Sequence, residues 1–267
     1  AHNPQTPEVL NGARSGTISI LFIVLAILFG VTTRKLNLSG KVSVPIGIIG
    51  LAIFIALGYF VPFLKFDKTV WTYIMLVYIF AASVLPVWFL LQPRDYLCSF
   101  LLYAMLAGGV IGLFVTNPGI TMPAFTSFIP AEGNYLFPIL FVTVACGAIS
   151  GFHSLVSSGT TSKQIDNEKD MRLIGYGAML IEGLVAVLAL MAIACYGKPS
   201  DGATPVQIFA NGVATMMNTI GLPYSFGVVF VVLAFASFAL TSLDTATRIA
   251  RYMLQELADS VPSLKKV

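Results

Sequence analysis

Between residues 145 and 161 an apolar stretch is interrupted by groups that bind solutes or ions. It reads Ala145-Cys146-Gly147-Ala148-Ile149-Ser150-Gly151-Phe152-His153 and, three residues later, Ser157-Ser158-Gly159-Thr160-Thr161. Inside a bilayer, backbone freed from helical hydrogen bonds is tolerated only where it is buried in protein or lines a wet cavity. A broken helix then offers carbonyls to cations and N–H groups to anions, and small residues let a solute approach the main chain. Gly147, Ser150, Gly151, His153, Ser157, Ser158, Gly159, Thr160 and Thr161 are therefore candidate solute- or ion-binding positions. Structural alternatives stand beside each. Gly147 and Gly151 have the GxxxG spacing of closely packed membrane helices, and His153 is either a packing residue or, as histidines do at physiological pH, a proton shuttle.

The acids supply the second kind of chemistry. Counted from residue 173 at about 1.5 Å per residue, Glu182 falls roughly 14 Å into the membrane, near its midplane. A carboxylate at that depth costs several kcal/mol unless it is protonated, paired or hydrated, which makes it a candidate coupling acid. Its structural alternative is a hydrogen bond that glues two helices. Asp244 is expected near the inner interface, paired with Arg248 one turn later in a mainly structural role, with Thr241 and Ser242 available to line a pathway. A further small polar run, Asn11-Gly12-Ala13-Arg14-Ser15-Gly16, is either the end of a discontinuous helix presenting Arg14 to an anion or an N-terminal loop.

Enzyme chemistry finds little support. His153 and Ser157 lie four residues apart, but spacing alone supplies neither an orienting third group nor an oxyanion site. The GxxxxGK[ST], HExxH and GxSxG patterns are absent. Cys98, Cys146 and Cys195 fall in apolar runs without CxxC spacing, so neither a disulfide nor a metal site is expected. No cofactor and no nucleic-acid partner is expected either. With no loop long enough for nucleotide machinery, transport would draw on an ion gradient or be passive.

These residues need elements that cross a membrane. The chain is 57% hydrophobic and only 10% charged, with a mean hydropathy of +0.88, against about 25% charged residues in an ordinary soluble domain. Runs of about 20 apolar residues are what about 30 Å of hydrocarbon requires. They are expected at 17–33, 44–63, 70–91, 97–116, 135–154, 173–195 and 224–244. The fold class is thus all-α: a polytopic transmembrane helical bundle of about seven spans, one of them interrupted, forming a single integral membrane domain over residues 1–267. Residues 117–134 carry Pro118, Pro123 and Pro130 with Glu132 as their one charge and suit an ordered cap. Residues 205–220 suit a short outer or re-entrant helix, and residues 246–267 a charged amphipathic helix and tail at the inner surface.

Threading seven spans with a cytoplasmic C-terminus divides the 15 Lys and Arg residues unevenly. Arg34, Lys35, Lys41, Arg94, Lys163, Lys169, Arg172, Arg248, Arg251, Lys265 and Lys266 fall inside. Only Arg14, Lys65, Lys68 and Lys198 fall outside, as the positive-inside rule asks. The polar start on the outer side and the initial Ala suggest an internal piece of a longer chain.

Several blocks closely resemble the carbon starvation protein A family: residues 92–97, reading Gln-Pro-Arg-Asp-Tyr-Leu; residues 145–153 and 157–164; residues 172–183, beginning Arg-Leu-Ile-Gly-Tyr-Gly; and residues 241–251, beginning Thr-Ser-Leu-Asp. The resemblance implies a bacterial inner-membrane uptake system used when preferred carbon runs low. It is associated with peptides and, in related members, with pyruvate entering alongside protons. It also implies a transporter-like inverted-repeat fold with broken helices, completed by further helices of a longer chain. The expectation is a proton-coupled secondary transporter core in the lipid bilayer. A small peptide or small carboxylate would bind near residues 147–161, and Glu182 would change protonation. The rival is a channel or a nutrient-sensing membrane protein without coupled transport.

Overall fold

The computed structural model describes residues 7–64, 66–125, 127–129, 135–196 and 204–259. Lys65, Pro130, Glu132, Lys198, Lys265 and Lys266, and the tail beyond Asp259, lie outside the described residues. Every regular element described is helical. In chain order they are α1 (Pro7–Lys35), α2 (Gly40–Phe60), α3 (Lys68–Val84), α4 (Leu91–Thr116), α5 (Phe141–Ile149), α6 (Gly151–Gly159), α7 (Asp170–Tyr196), α8 (Pro205–Thr219) and α9 (Tyr224–Asp259). A wide turn precedes α5 and a short tight turn, Thr161–Lys163, follows α6.

Among the described residues six helices are long and apolar enough to cross a membrane, with α5 and α6 together counting as one of them, Leu136–Lys163. The seventh expected span is shorter, an apolar helix at Thr69–Val84. Pro86 explains the difference. A proline pushes the residue before it out of the helical region, and Leu85 is extended at φ −64°, ψ 146°. The apolar run continues to Leu91, but the helix does not. At the other end of the chain order, the Asn11–Gly16 run is neither a loop nor a helix end. It lies inside α1, where Arg14 Nε donates to the Tyr59 carbonyl at 3.1 Å and the guanidinium sits 4.2 Å above the Tyr59 ring.

Alternate threading shows in which ends meet. Arg34 of α1 stacks on Trp88 between α3 and α4, Lys163 lies over Tyr252 of α9, and Arg251 reaches the Ser83 carbonyl. At the opposite end Tyr59 meets Ser225, and Thr116 meets Thr219. The Thr121 and Met122 N–H groups donate to the Ala194 carbonyl at the end of α7, anchoring the described part of the 117–134 connection. Asn117 closes α4 in the left-handed conformation that asparagine tolerates.

The core is built around α8, which is too mixed in polarity to span. Thr204 and Gln207 cap its start reciprocally, each satisfying an N–H of the other's backbone. Phe209, Ala210, Val213, Ala214, Met216 and Met217 are buried against α4, α7 and α9. Small residues permit that approach, as in close-packed membrane helices. A Cβ at Gly112 would strike the Met216 carbonyl, and one at Gly212 would lie 2.8 Å from the Ala192 carbonyl. α9 then runs unbroken for 36 residues, so residues 246–259 continue its axis.

Candidate functional site

The interruption falls at Ser150. Its φ of −54° and ψ of 139° end α5, and its hydroxyl accepts from the Phe152 N–H at 3.2 Å to cap α6. Serine does this because its short hydroxyl reaches an N–H that a new helix leaves unpaired. The Ser157 and Ser158 hydroxyls turn back onto the Ser154 carbonyl, each at 3.0 Å. His153 and Ser157 share no hydrogen bond, so they form no nucleophile–base pair. All nine residues of α5 are exposed, and a Cβ at Gly147 or Gly151 would meet nothing within 4 Å. Gly147 and Gly151 therefore pack against no helix among the described residues. Glu182 sits midway along α7 on an exposed face. No hydrogen bond or ion pair joins Glu182 to α6 among the described residues. Gly159 to Thr161, at the end of the interruption, are half-buried, and a Cβ at Gly159 would lie 3.7 Å from Ile249 of α9.

The strongest polar assembly lies elsewhere. Arg94, placed among inner-loop charges by its position in the sequence, is 0% exposed. Its side chain on the first turn of α4 reaches across to α3 and α9. One terminal nitrogen donates to Asp244 Oδ2 and to the Tyr78 hydroxyl. The other donates to Asp95 Oδ1 at 3.3 Å and to Thr241 Oγ1 at 3.2 Å. The Tyr78 hydroxyl itself donates to Asp244 Oδ2 at 2.8 Å. Thr241 Oγ1 lies 3.1 Å from both Asp95 Oδ1 and the Ser237 carbonyl, so its one hydrogen serves one of them at a time.

Asp244 is fully buried and its partner is Arg94, which corrects the expected pairing with Arg248. Arg248 points the other way. Its guanidinium donates to the Ala82 and Leu85 carbonyls at 2.8 and 2.7 Å, and Arg251 donates to the Ser83 carbonyl at 2.6 Å. These are carbonyls that the end of α3 leaves without helical partners, and cations are favoured there. Two buried polar atoms of the pair Arg94–Asp244 keep no partner: Arg94 Nε and Asp244 Oδ1. Asp95 is the accessible member, with 41% of its side chain exposed. One cation is thus shared by two carboxylates, inside a site reached from one side.

A small cleft of about 180 Å³ lies where the end of α6 meets α9 and the turn between α3 and α4. Trp88, Gln92, Thr160, Lys163, Arg248 and Tyr252 are among its walls. Sequence reasoning found Thr160, Thr241 and Asp244 but missed Arg94, Asp95, Tyr78 and Lys163. The signal for Arg94 and Asp95 was available: a charged pair set at the very start of a long apolar run.

Six bilayer-length helices, one of them broken, with a buried ion pair between two others define a multi-pass helical membrane protein. The family described as carbon starvation protein CstA matches residues 6–200 and 198–267. The chain belongs to that family. It is 34% identical to the pyruvate/proton symporter BtsT of Escherichia coli (strain K12), over 91% of this chain and 46% of that protein. To the peptide transporter CstA of the same organism it is 35% identical, over 77% of this chain and 38% of that protein. A peptide transporter CstA of Mycobacterium tuberculosis is 49% identical over 46% of this chain and 17% of that protein. The chain spans less than half the length of these relatives. No solved structure matches it.

Proposed function

We propose that the chain is the core of a proton-coupled secondary transporter that takes up small peptides or pyruvate during carbon starvation. It would sit in a bacterial inner membrane with its C-terminus in the cytoplasm and would have no enzymatic role. The observation that carries the coupling is Arg94 shared between Asp95 and Asp244. A buried charge is costly unless paired, and with two carboxylates on one guanidinium, adding a proton to either leaves a neutral trio. Asp95, partly exposed and hydrogen-bonded through Thr241, is the acid placed to exchange that proton. The other ionisable groups at the assembly are Tyr78 from α3 and Cys98 one turn along α4, while Arg248, one turn along α9, is turned away to the carbonyls at the end of α3. α1, packed on the same helices, bonds no ionisable side chain to it among the described residues. Names of relatives support the solutes: one is a pyruvate/proton symporter and others are peptide transporters.

The interrupted α5–α6 element would lie beside the solute path, with Gly147, Ser150, Gly151, His153, Ser157, Ser158, Gly159, Thr160 and Thr161 on or near it. Glu182, exposed on α7, is the second candidate for coupling. Proteoliposomes made from the complete reading frame separate the two acids. With an inward proton gradient, Asp95→Asn should abolish gradient-driven pyruvate accumulation at unchanged protein content, and Asp95→Glu should restore part of it. Normal gradient-driven uptake by Asp95→Asn together with its loss in Glu182→Gln would transfer the coupling role to Glu182.

A further inference from the structure

We infer that the cleft between the end of α6, α9 and the α3–α4 turn is a binding site for a small oxyanion, the carboxylate of a solute. Its walls carry two cations, Lys163 and Arg248, and no acid among the described residues. Arg248 is 3% exposed, and although one of its nitrogens serves the end of α3, its Nε–H has no hydrogen-bond partner. Thr160 Oγ1 is a second buried polar atom left without a partner, on the neighbouring wall. Buried donors are ordinarily satisfied, and two orphans beside one cleft point to a group that completes them. Lys163 Nζ lies 5.0 Å above the Tyr252 ring, which holds the ammonium at the mouth.

The chemistry of these donors fits a carboxylate better than a neutral or cationic group. A guanidinium N–H, an ammonium and a hydroxyl around one small space supply charge-assisted hydrogen bonds to oxygen. The Gln92 amide and the Trp88 ring close the remaining sides. At about 180 Å³ the cleft holds several waters or an anion of a few heavy atoms. A lipid phosphate offers the same oxyanion chemistry but brings a glycerol backbone that needs more room. Thr160 also ends α6 within the interruption marked in the sequence, so an anion here would tie α6 to α9 and to the first turn of α4. That the anion is a transported solute rests on the transport reading above; that an oxyanion binds here does not.

Equilibrium binding on protein purified from the complete reading frame, in neutral detergent, tests the site with pyruvate and glycylglycine as probes. Saturable binding should weaken at least tenfold in Lys163→Gln and several-fold in Thr160→Val, while Lys163→Arg keeps most of it. Wild-type affinity for both probes in Lys163→Gln and Thr160→Val overturns the inference, as does the absence of saturable binding of either probe. Phosphatidylglycerol in mixed micelles forms the other arm: if it binds in a Lys163-dependent manner and the solutes do not, the site takes lipid and the solute assignment falls. Lys163-dependent pyruvate binding by a protein that accumulates none in proteoliposomes would keep the cleft and reject transport. Accumulation with Lys163-independent binding would keep transport and reject the cleft.

Discussion

The helices around α8 and the pair α5–α6 are made of the same kinds of residue, yet one region is closed and the other open. Gly112 and Gly212 meet backbone carbonyls of neighbouring helices, whereas Gly147 and Gly151 face empty space. Leu97, Leu188, Val213 and Val231 are buried, while Phe141, Val142 and Val144 are each more than half exposed. Hydrophobicity therefore does not decide which helix is interior in a membrane protein. Lipid is as apolar as leucine, so close backbone approach and interhelical polar bonds make the difference. The closed region has both: small residues along α8, and the Arg94 assembly joining α3, α4 and α9.

Removing the polar tie should have the largest effect. Arg94→Leu leaves Asp244 buried without its cation and should lower stability by about 3–5 kcal/mol, read as a large fall in the thermal midpoint of detergent-solubilised protein by circular dichroism. A midpoint near that of the wild type would mean that the assembly is not sealed from solvent. Gly112→Ala comes next, at about 1–3 kcal/mol, because the new methyl collides with a main-chain carbonyl that cannot swing away. The same change at Gly147 should stay within about 0.5 kcal/mol; a large loss there would show that α5 is covered by something outside the described residues. Ser150→Ala falls between the two glycine changes. Loss of its cap on α6 should cost about 1 kcal/mol, measured as faster amide hydrogen exchange in residues 151–154 with the core unchanged.

The sequence carried the open region better than the closed one. Glycines and hydroxyls in a row are a local signal, and the helix does break at Ser150, within the marked stretch. The span pattern was also local, and failed only at α3, where Val87 to Leu91 prolong an apolar run past the proline that stops the helix. The Arg94 assembly is not local. Its ion pair joins residues 150 apart, and hydropathy assigns a charge at the edge of a run to the loop beside it. Arg248, one helical turn from Asp244, offered a nearer and more conventional partner. It is engaged instead with carbonyls that only the early end of α3 exposes, so one unforeseen helix stop redirected two arginines. α8 was expected as a short outer or re-entrant helix, and its place among α4, α7 and α9 was the part not legible. Its polar residues suggested a surface, while Ala210, Gly212 and Ala214 are what admitted it to the interior.

Arg248 and Arg251 grip the last turn of α3 through three hydrogen bonds, all from the same stretch of α9. Rocking of α9 must either drag α3 along or tear those bonds away together, so the two helices travel as a single lever. Any conformational cycle that tilts this lever changes the width of the gap where Lys163 rests on Tyr252.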